Sequence, residues 1–547
     1  MCLAWSVITK SLYICIVIID NDITMTYRVV QPQKNGKFYL YDVDAEWDPE
    51  KKRSKQKRTY LGPCDENGNL IGEPANKRTI ECSPVFGPYH LLHSLAEDSG
   101  MASALTKVYG KEDGKRLLAL AILGIVSPCS VRQMQNEIED TYLRKIADVD
   151  WTFEQSGVCR FMQTAGKDAG RRERLFRALA PKGGCAIFDI VCLGTDSGEL
   201  EFAEAGRKAR LTGSKQFNLG MVHSMKDGLP FLYRTYPGSI ADVTTLENMV
   251  SDLKAMGCKV DEMVLDRGFF SAGNIAMLIE RRMGFTVPLP ARNSIHKLLI
   301  SESTGNIESP LCTDSLGGSA VRGYETAVIL SGGEFSKASP KDKGGIRAVV
   351  FQDDNRRTIE ISTLYRRMAE LEAKMSGTEY EENISASLTN KEKEIADLCE
   401  FSAGEDGKTV VKRKRNAVSA KENACGRFAV LTTSKLGWKD LLIEYRKRND
   451  VEYVFSQMQS DIFDGVTGKS SQDSAEGGLL VNFISLRLRS LLIDRMKEAD
   501  LTDTMWVPDV ISTLKKLKIS CIGGKWRLNE ITKAQRTVFE KLKVKMP

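Results

Sequence analysis

The sequence predicts an α/β fold, and three features of its middle third carry that expectation. Short apolar runs rich in β-branched and aromatic residues, Ala-Ile-Phe-Asp-Ile-Val around Asp189 and Met-Val-Leu-Asp-Arg-Gly-Phe around Asp266, read as buried strands. Stretches between such runs place apolar residues three and four apart, as at Leu246, Met249, Val250 and Leu253, and read as helices packed by one face. Two further strand-like runs flank the turn Lys226-Asp-Gly, so an antiparallel meander opens the region.

Taken in order, strands are expected at 185–193, 216–223 and 229–236, a helix at 241–256, a strand at 262–265, a helix at 272–283 and a strand at 285–288. A meander followed by alternating strands and helices is what an RNase-H-like core would show, here as its first part over 181–293. Residues 294–425 interrupt it as a β-containing insertion, with β-like pieces at 327–330 and 347–351, a charged helical stretch at 363–375 and the basic run Lys412-Arg-Lys-Arg415. Such an insertion leaves a core intact because its ends can meet. The core resumes over 426–500: a strand at 426–433, a helix carrying Glu452, a polar linker at 468–478, then an amphipathic helix at 479–496 with Arg487, Arg489 and Arg495.

The flanks are simpler. Residues 1–25 hold a short apolar run and read as a start assigned too early, with Met25 as the expected first residue. Residues 26–87 read as a small, basic β-hairpin element whose tip, 51–58, is either a solvated loop or a phosphate-contacting one. Residues 88–180 are helical. There Ser130 is a possible cap, and the run 127–130 reads as the turn of a packed helical hairpin rather than of a helix-turn-helix. Residues 501–547 read as a small helical element around Trp526.

With 547 residues, two to four domains are expected. A net charge of +6 is too small to argue for nucleic acid without a local patch. The thirteen cysteines form no Cys-x2-Cys pair and only four histidines are present, which argues against a zinc site and for reduced thiols in the cytoplasm. The short apolar run near the start is too short for a membrane span.

Three acids stand out. Asp189 lies inside one strand run, with Asp196 as its competitor in the turn beyond. Asp266 ends another, and Glu452 falls on a helix. A carboxylate inside an apolar run is costly to bury without a partner or a metal. Strand ends and one helix face can bring three carboxylates together. Such a set binds hard divalent cations, which prefer oxygen ligands and leave positions open for phosphates.

In these contexts the chain resembles a DDE transposase of bacterial insertion sequences, in the group with a Tyr-x2-Arg-x3-Glu-x6-Lys signature. Tyr445, Arg448 and Glu452 match its spacing, with Gln459 in the last position; Tyr236-Pro-Gly-Ser-Ile-Ala-Asp242 and Asp266-Arg-Gly add to the likeness, which spans about residues 28–545. The resemblance implies an enzyme that binds the terminal inverted repeats of its element, cleaves double-stranded DNA there and joins the ends to target DNA. It implies Asp189, Asp266 and Glu452 as catalytic metal ligands for two Mg²⁺ ions, with Mn²⁺ as a substitute. It implies DNA-end binding by the helical region 88–180, DNA contacts from Tyr445, Arg448, Gln459 and Arg267, a homodimeric end complex and a nucleoid-associated location. Lys215 and Arg234 are further candidate phosphate neighbours. Two rivals stay open: a silent DNA-binding derivative, and an RNase-H-like nuclease without strand transfer.

Overall fold

In the computed structural model the chain is described over residues 14–19, 22–34, 36–48, 53–71, 80–195, 197–206, 215–338, 344–376, 378–380, 388–405, 407–461 and 471–547, with side chains outside the description for 14–26, 46–48 and 450–461. It divides into two compact units, one of Met1–Pro84 with Leu517–Glu530 and one of Val85–Lys516 with Ile531–Pro547.

The smaller unit holds a four-stranded antiparallel sheet of Ile14–Ile19, Asp22–Pro32, Phe38–Asp48 and Arg53–Cys64. The strand Ile80–Cys82 pairs with a hairpin of Ile519–Ile522 and Lys525–Leu528. Most of the basic run expected at a hairpin tip is strand instead, while residues 49–52 lie outside the description. The register sets Lys57 opposite Asp44, Lys55 opposite Glu46 and Arg53 opposite Asp48. An opposite-charge pair facing across strands, as Lys57 and Asp44 do, stabilises the pairing by roughly 0.2–1 kcal/mol.

The larger unit opens with helices at Gly87–Asp98, Met101–Tyr109, Lys111–Val126, Met134–Glu139, Leu143–Ile146, Gln155–Lys167 and Ala169–Leu179. Ser130 does not cap the fourth of these. That helix starts at Met134, and the Ser130 hydroxyl bonds the Gln133 side chain at 3.0 Å.

A ten-stranded sheet follows, in the order Thr313–Leu316, Ser319–Ser331, Ile346–Asp353, Arg427–Thr432, Gly284–Pro288, Glu262–Leu265, Cys185–Thr195, Lys215–Ser224, Pro230–Pro237, with Glu334–Lys337 paired to Ser319–Ser331. The last three form the expected antiparallel meander. The Cys185 strand runs parallel to Glu262–Leu265, which runs parallel to Gly284–Pro288. Strands of residues 313–353 extend the same sheet through Arg427–Thr432. The Asp242–Ala255 helix buries Leu246, Met249, Val250 and Leu253, the face its spacing predicted.

The polar stretch expected as a linker over 468–478 is helix from residue 472 onward. Gln472–Glu498 is one helix, capped by the Ser471 hydroxyl. It is buried on nearly every side, so the amphipathic expectation also fails: it runs through the unit and packs against Gln155–Lys167, Lys111–Val126 and the strand Pro230–Pro237. Its glycines serve close approach. A Cβ at Gly477 would fall 1.9 Å from the Met162 carbonyl oxygen, and one at Gly166 would fall 1.9 Å from the Asp473 carbonyl oxygen. Among the described residues no helix is long and apolar enough to cross a membrane.

Candidate active site

Two neighbouring parallel strands set the site. Phe188 stands opposite Leu265 in their register, so the next residues, Asp189 and Asp266, emerge side by side. The Asp189 carboxylate accepts from the Ile190 amide, 2.8 Å to Oδ1. Asp266 leaves the strand end and opens a short turn, Arg267–Phe269. The third meander strand runs in the same sense as the first, so its end delivers the helix beginning at Asp242 to the same edge. Gly268 sits between the two later acids: a Cβ there would lie 3.5 Å from Asp242 Oδ2 and 3.9 Å from Asp266 Oδ2. Glycine therefore lets the turn pass close to both carboxylates.

The helix Trp438–Asp461 brings the counter-charge. Arg448 is 7% exposed. Its Nη2 lies 3.2 Å from Asp266 Oδ1, and its Nη1 donates to the Tyr445 hydroxyl at 3.1 Å. The Tyr445 ring lies 5.9 Å from the guanidinium and tilts toward Phe428. Burial raises the Tyr445 phenol above its ordinary range. Burial likewise raises the Asp189 carboxyl; the Ile190 amide and Arg448 pull it back, while Asp266 and Asp242 push it further up. The cluster thus holds more negative charge than one arginine balances.

Asp189, Asp266, Tyr445 and Arg448 lie close together in the structure. Glu452 follows Arg448 by one helical turn in the backbone, but its side chain and that of Gln459 lie outside the described residues, as does Asp196. Arg267 is exposed in the turn after Asp266. Arg234 is paired with Asp252, and Lys215 is exposed at a strand start. Asp242 was not singled out as a site residue from sequence. Its signals in the sequence are its place at the end of the Tyr236-Pro-Gly-Ser-Ile-Ala-Asp242 run and an acid in the first turn of a helix, the latter common for helix-dipole reasons alone.

The donor set fits a hard divalent cation. Asp189 and Asp266 offer oxygen only, no histidine or cysteine intrudes, and the mutual repulsion of the carboxylates is what a bound cation would relieve. Among the described residues no group of three His, Cys, Asp or Glu side chains that could hold a metal is gathered. Two acids are in place, and Glu452 is the third from sequence.

A strand-borne acid, a second acid at the neighbouring strand end and an arginine from a later helix make up the charged cluster at this edge of the sheet. The model of the transposase DDE domain family matches residues 188–486, more than half of the chain, and the chain belongs to that family. Among solved structures it is similar to the piggyBac transposase synaptic complex with hairpin DNA, at 7% identity and a TM-score of 0.34, covering 72% of this chain and 68% of that one. A likeness that distant adds nothing to the assignment. No curated protein matches.

Proposed function

We propose that this transposase binds the terminal inverted repeats of an insertion sequence, cuts the DNA ends and joins them to target DNA. The observation that carries this reading is the placement of Asp189 and Asp266 side by side on parallel strands, with the Glu452 helix laid against them through Arg448. The strand order, a meander whose first strand pairs in parallel with Glu262–Leu265, itself parallel to Gly284–Pro288, supports an RNase-H-like core.

In this reading Asp189, Asp266 and Glu452 hold two divalent ions, Mg²⁺ or Mn²⁺. Bound there, the ions would supply Lewis-acid activation of an attacking water or 3′-hydroxyl and stabilisation of the leaving oxygen. Arg448 keeps Asp266 aimed at the site, and Tyr445 keeps Arg448 in place. Arg267, exposed beside Asp266, is the guanidinium best placed to meet a phosphate. The end complex is a homodimer on double-stranded DNA, in the cytoplasm at the nucleoid.

The test is metal dependence on DNA carrying the element's ends. Cleavage should require Mg²⁺ or Mn²⁺, while Ca²⁺ should support complex assembly without turnover, because its looser coordination positions the nucleophile poorly. Cutting that persists in excess EDTA would sink the reading.

A further inference from the structure

Two cysteines from opposite ends of the chain face each other within the smaller unit. The strand Ile80–Cys82 pairs antiparallel with Ile519–Ile522, setting Cys82 opposite Cys521 and Ile80 opposite Ile522. Glu81 is therefore the extra residue of a β-bulge, and Glu81 and Cys82 together oppose the single Cys521. The neighbouring position fixes the two strands side by side: the Ser83 and Ser520 hydroxyls meet at 2.9 Å, and the Ile519 amide donates to the Pro84 carbonyl oxygen at 3.1 Å.

Residues directly opposite across antiparallel strands share a face, with Cα atoms about 4.5–5.5 Å apart. A disulfide accepts Cα separations of roughly 4.4–6.8 Å, so this pair can be bridged with the strands where they are. Among the described residues no other two cysteines are partners in a strand register. The two thiols also differ in access. Cys82 is the exposed one among the described cysteines, while Cys521 is 6% exposed.

Glu81 holds the buried thiol. Its Oε2 accepts from the Cys521 thiol at 3.2 Å, and its Oε1 accepts from the Gly524 amide at 3.0 Å, in the turn of the same hairpin. As acceptor and as a nearby negative charge, that carboxylate raises the Cys521 thiol above its ordinary range. Cys521 thus rests as a protonated, slow thiol, and an oxidant meets Cys82 first.

We propose that Cys82 and Cys521 form an oxidation site, at which a peroxide converts the two thiols into a disulfide that fastens the 519–528 hairpin to the strand Ile80–Cys82. The Cys82 sulfur attacks a peroxide oxygen; the S–O bond forms, the O–O bond breaks, and the departing hydroxide leaves as water with the Cys82 proton. The Cys521 sulfur then attacks the Cys82 sulfur; the S–S bond forms, the S–O bond breaks, and the second hydroxide leaves as water with the proton Cys521 had shared with Glu81. Two electrons pass from the thiols to the peroxide. Val85–Lys516 lies between the two cysteines in sequence, so the bond closes that whole segment into a covalent loop, which a thiol reductant reopens. None of this depends on the DNA reading above.

The test exposes the full-length protein to hydrogen peroxide, alkylates the remaining thiols in denaturant, and follows non-reducing gel mobility and peptide masses. Wild type should gain a faster band, because the looped chain is more compact when denatured, and should yield a linked Cys82–Cys521 peptide pair while Cys521 loses its alkylation. Dithiothreitol should reverse both. Cys82→Ser, a change at an exposed position, should abolish the band and leave Cys521 fully alkylated. A Cys82 driven to sulfinic acid or joined to any other cysteine, with Cys521 still alkylated in wild type, overturns the proposal, as does the same fast band in Cys82→Ser.

Discussion

Arg448 and Asp266 depend on each other more than their separation in sequence suggests. The guanidinium is nearly enclosed, and Asp266 is its carboxylate partner at 3.2 Å. Asp266→Ala should therefore lower stability in metal-free buffer, because the nearly enclosed guanidinium loses a carboxylate partner. Asp189→Ala removes a carboxylate that burial and two neighbouring acids already disfavour, so it should leave the melting temperature unchanged or raise it. Thermal unfolding of the two variants without divalent ions checks the contrast, and equal losses would refute it. Arg448→Ala should cut cleavage while leaving the salt dependence of DNA binding unchanged, because the guanidinium is engaged with Asp266 and Tyr445. Asp189 and Asp266 were legible because an acid in an apolar run is conspicuous. The Arg448–Asp266 pair and the approach of Asp242 were not, because partner choice across such separations leaves no local pattern.

Strands and helices were mostly legible where their periodicity was strong, down to the bounds of Glu262–Leu265. The long helix Gln472–Glu498 was one failure, and the stretch around Trp526, expected as helix, was another, since it is a strand of the Ile519–Leu528 hairpin. Gly477 and Gly478 in a polar setting read as a linker, since small residues at a tight helix crossing have the same composition as a flexible segment. Gly477→Ala should destabilise by more than about 3 kcal/mol or prevent folding, because its methyl group would overlap the Met162 carbonyl, a backbone atom that cannot turn aside. Chemical denaturation reads this directly, and a near-neutral effect would mean that the two helices do not cross as described. The strand Lys215–Ser224 makes a pH prediction. His223 is fully buried, its Nδ1 donates to the Gly228 carbonyl oxygen at 3.1 Å, and burial brings its pKa down to about 4. Between pH 6.5 and 4 the unfolded chain takes up a proton that the folded chain refuses. Stability present above pH 6.5 is thus lost as pH falls through that window, by about 3 kcal/mol for this group. His223→Asn should flatten the loss without abolishing it, because His93 and His296 are lowered by burial in the same sense. An unchanged pH slope would place His223 in contact with water.

At the scale of the molecule, what escaped sequence reading is long-range pairing. The strands Ser319–Ser331 and Ile346–Asp353 join the core sheet through Arg427–Thr432, which itself pairs with Gly284–Pro288 across more than a hundred residues. The smaller unit likewise draws its last hairpin from residues 519–528, far from its other strands. Local pattern names each strand but not its neighbour, since hydrophobic alternation is the same for any partner. The central claim is that Asp189, Asp266 and Glu452 together perform the chemistry while other surfaces hold the DNA. Its most direct test is single-turnover cleavage of end DNA in Mg²⁺ by Asp189→Ala, Asp266→Ala and Glu452→Ala, with DNA binding measured on the same preparations. Each variant should bind the ends within a few-fold of wild type and lose cleavage altogether; cleavage at a near wild-type rate by any one of them would remove that residue from the site.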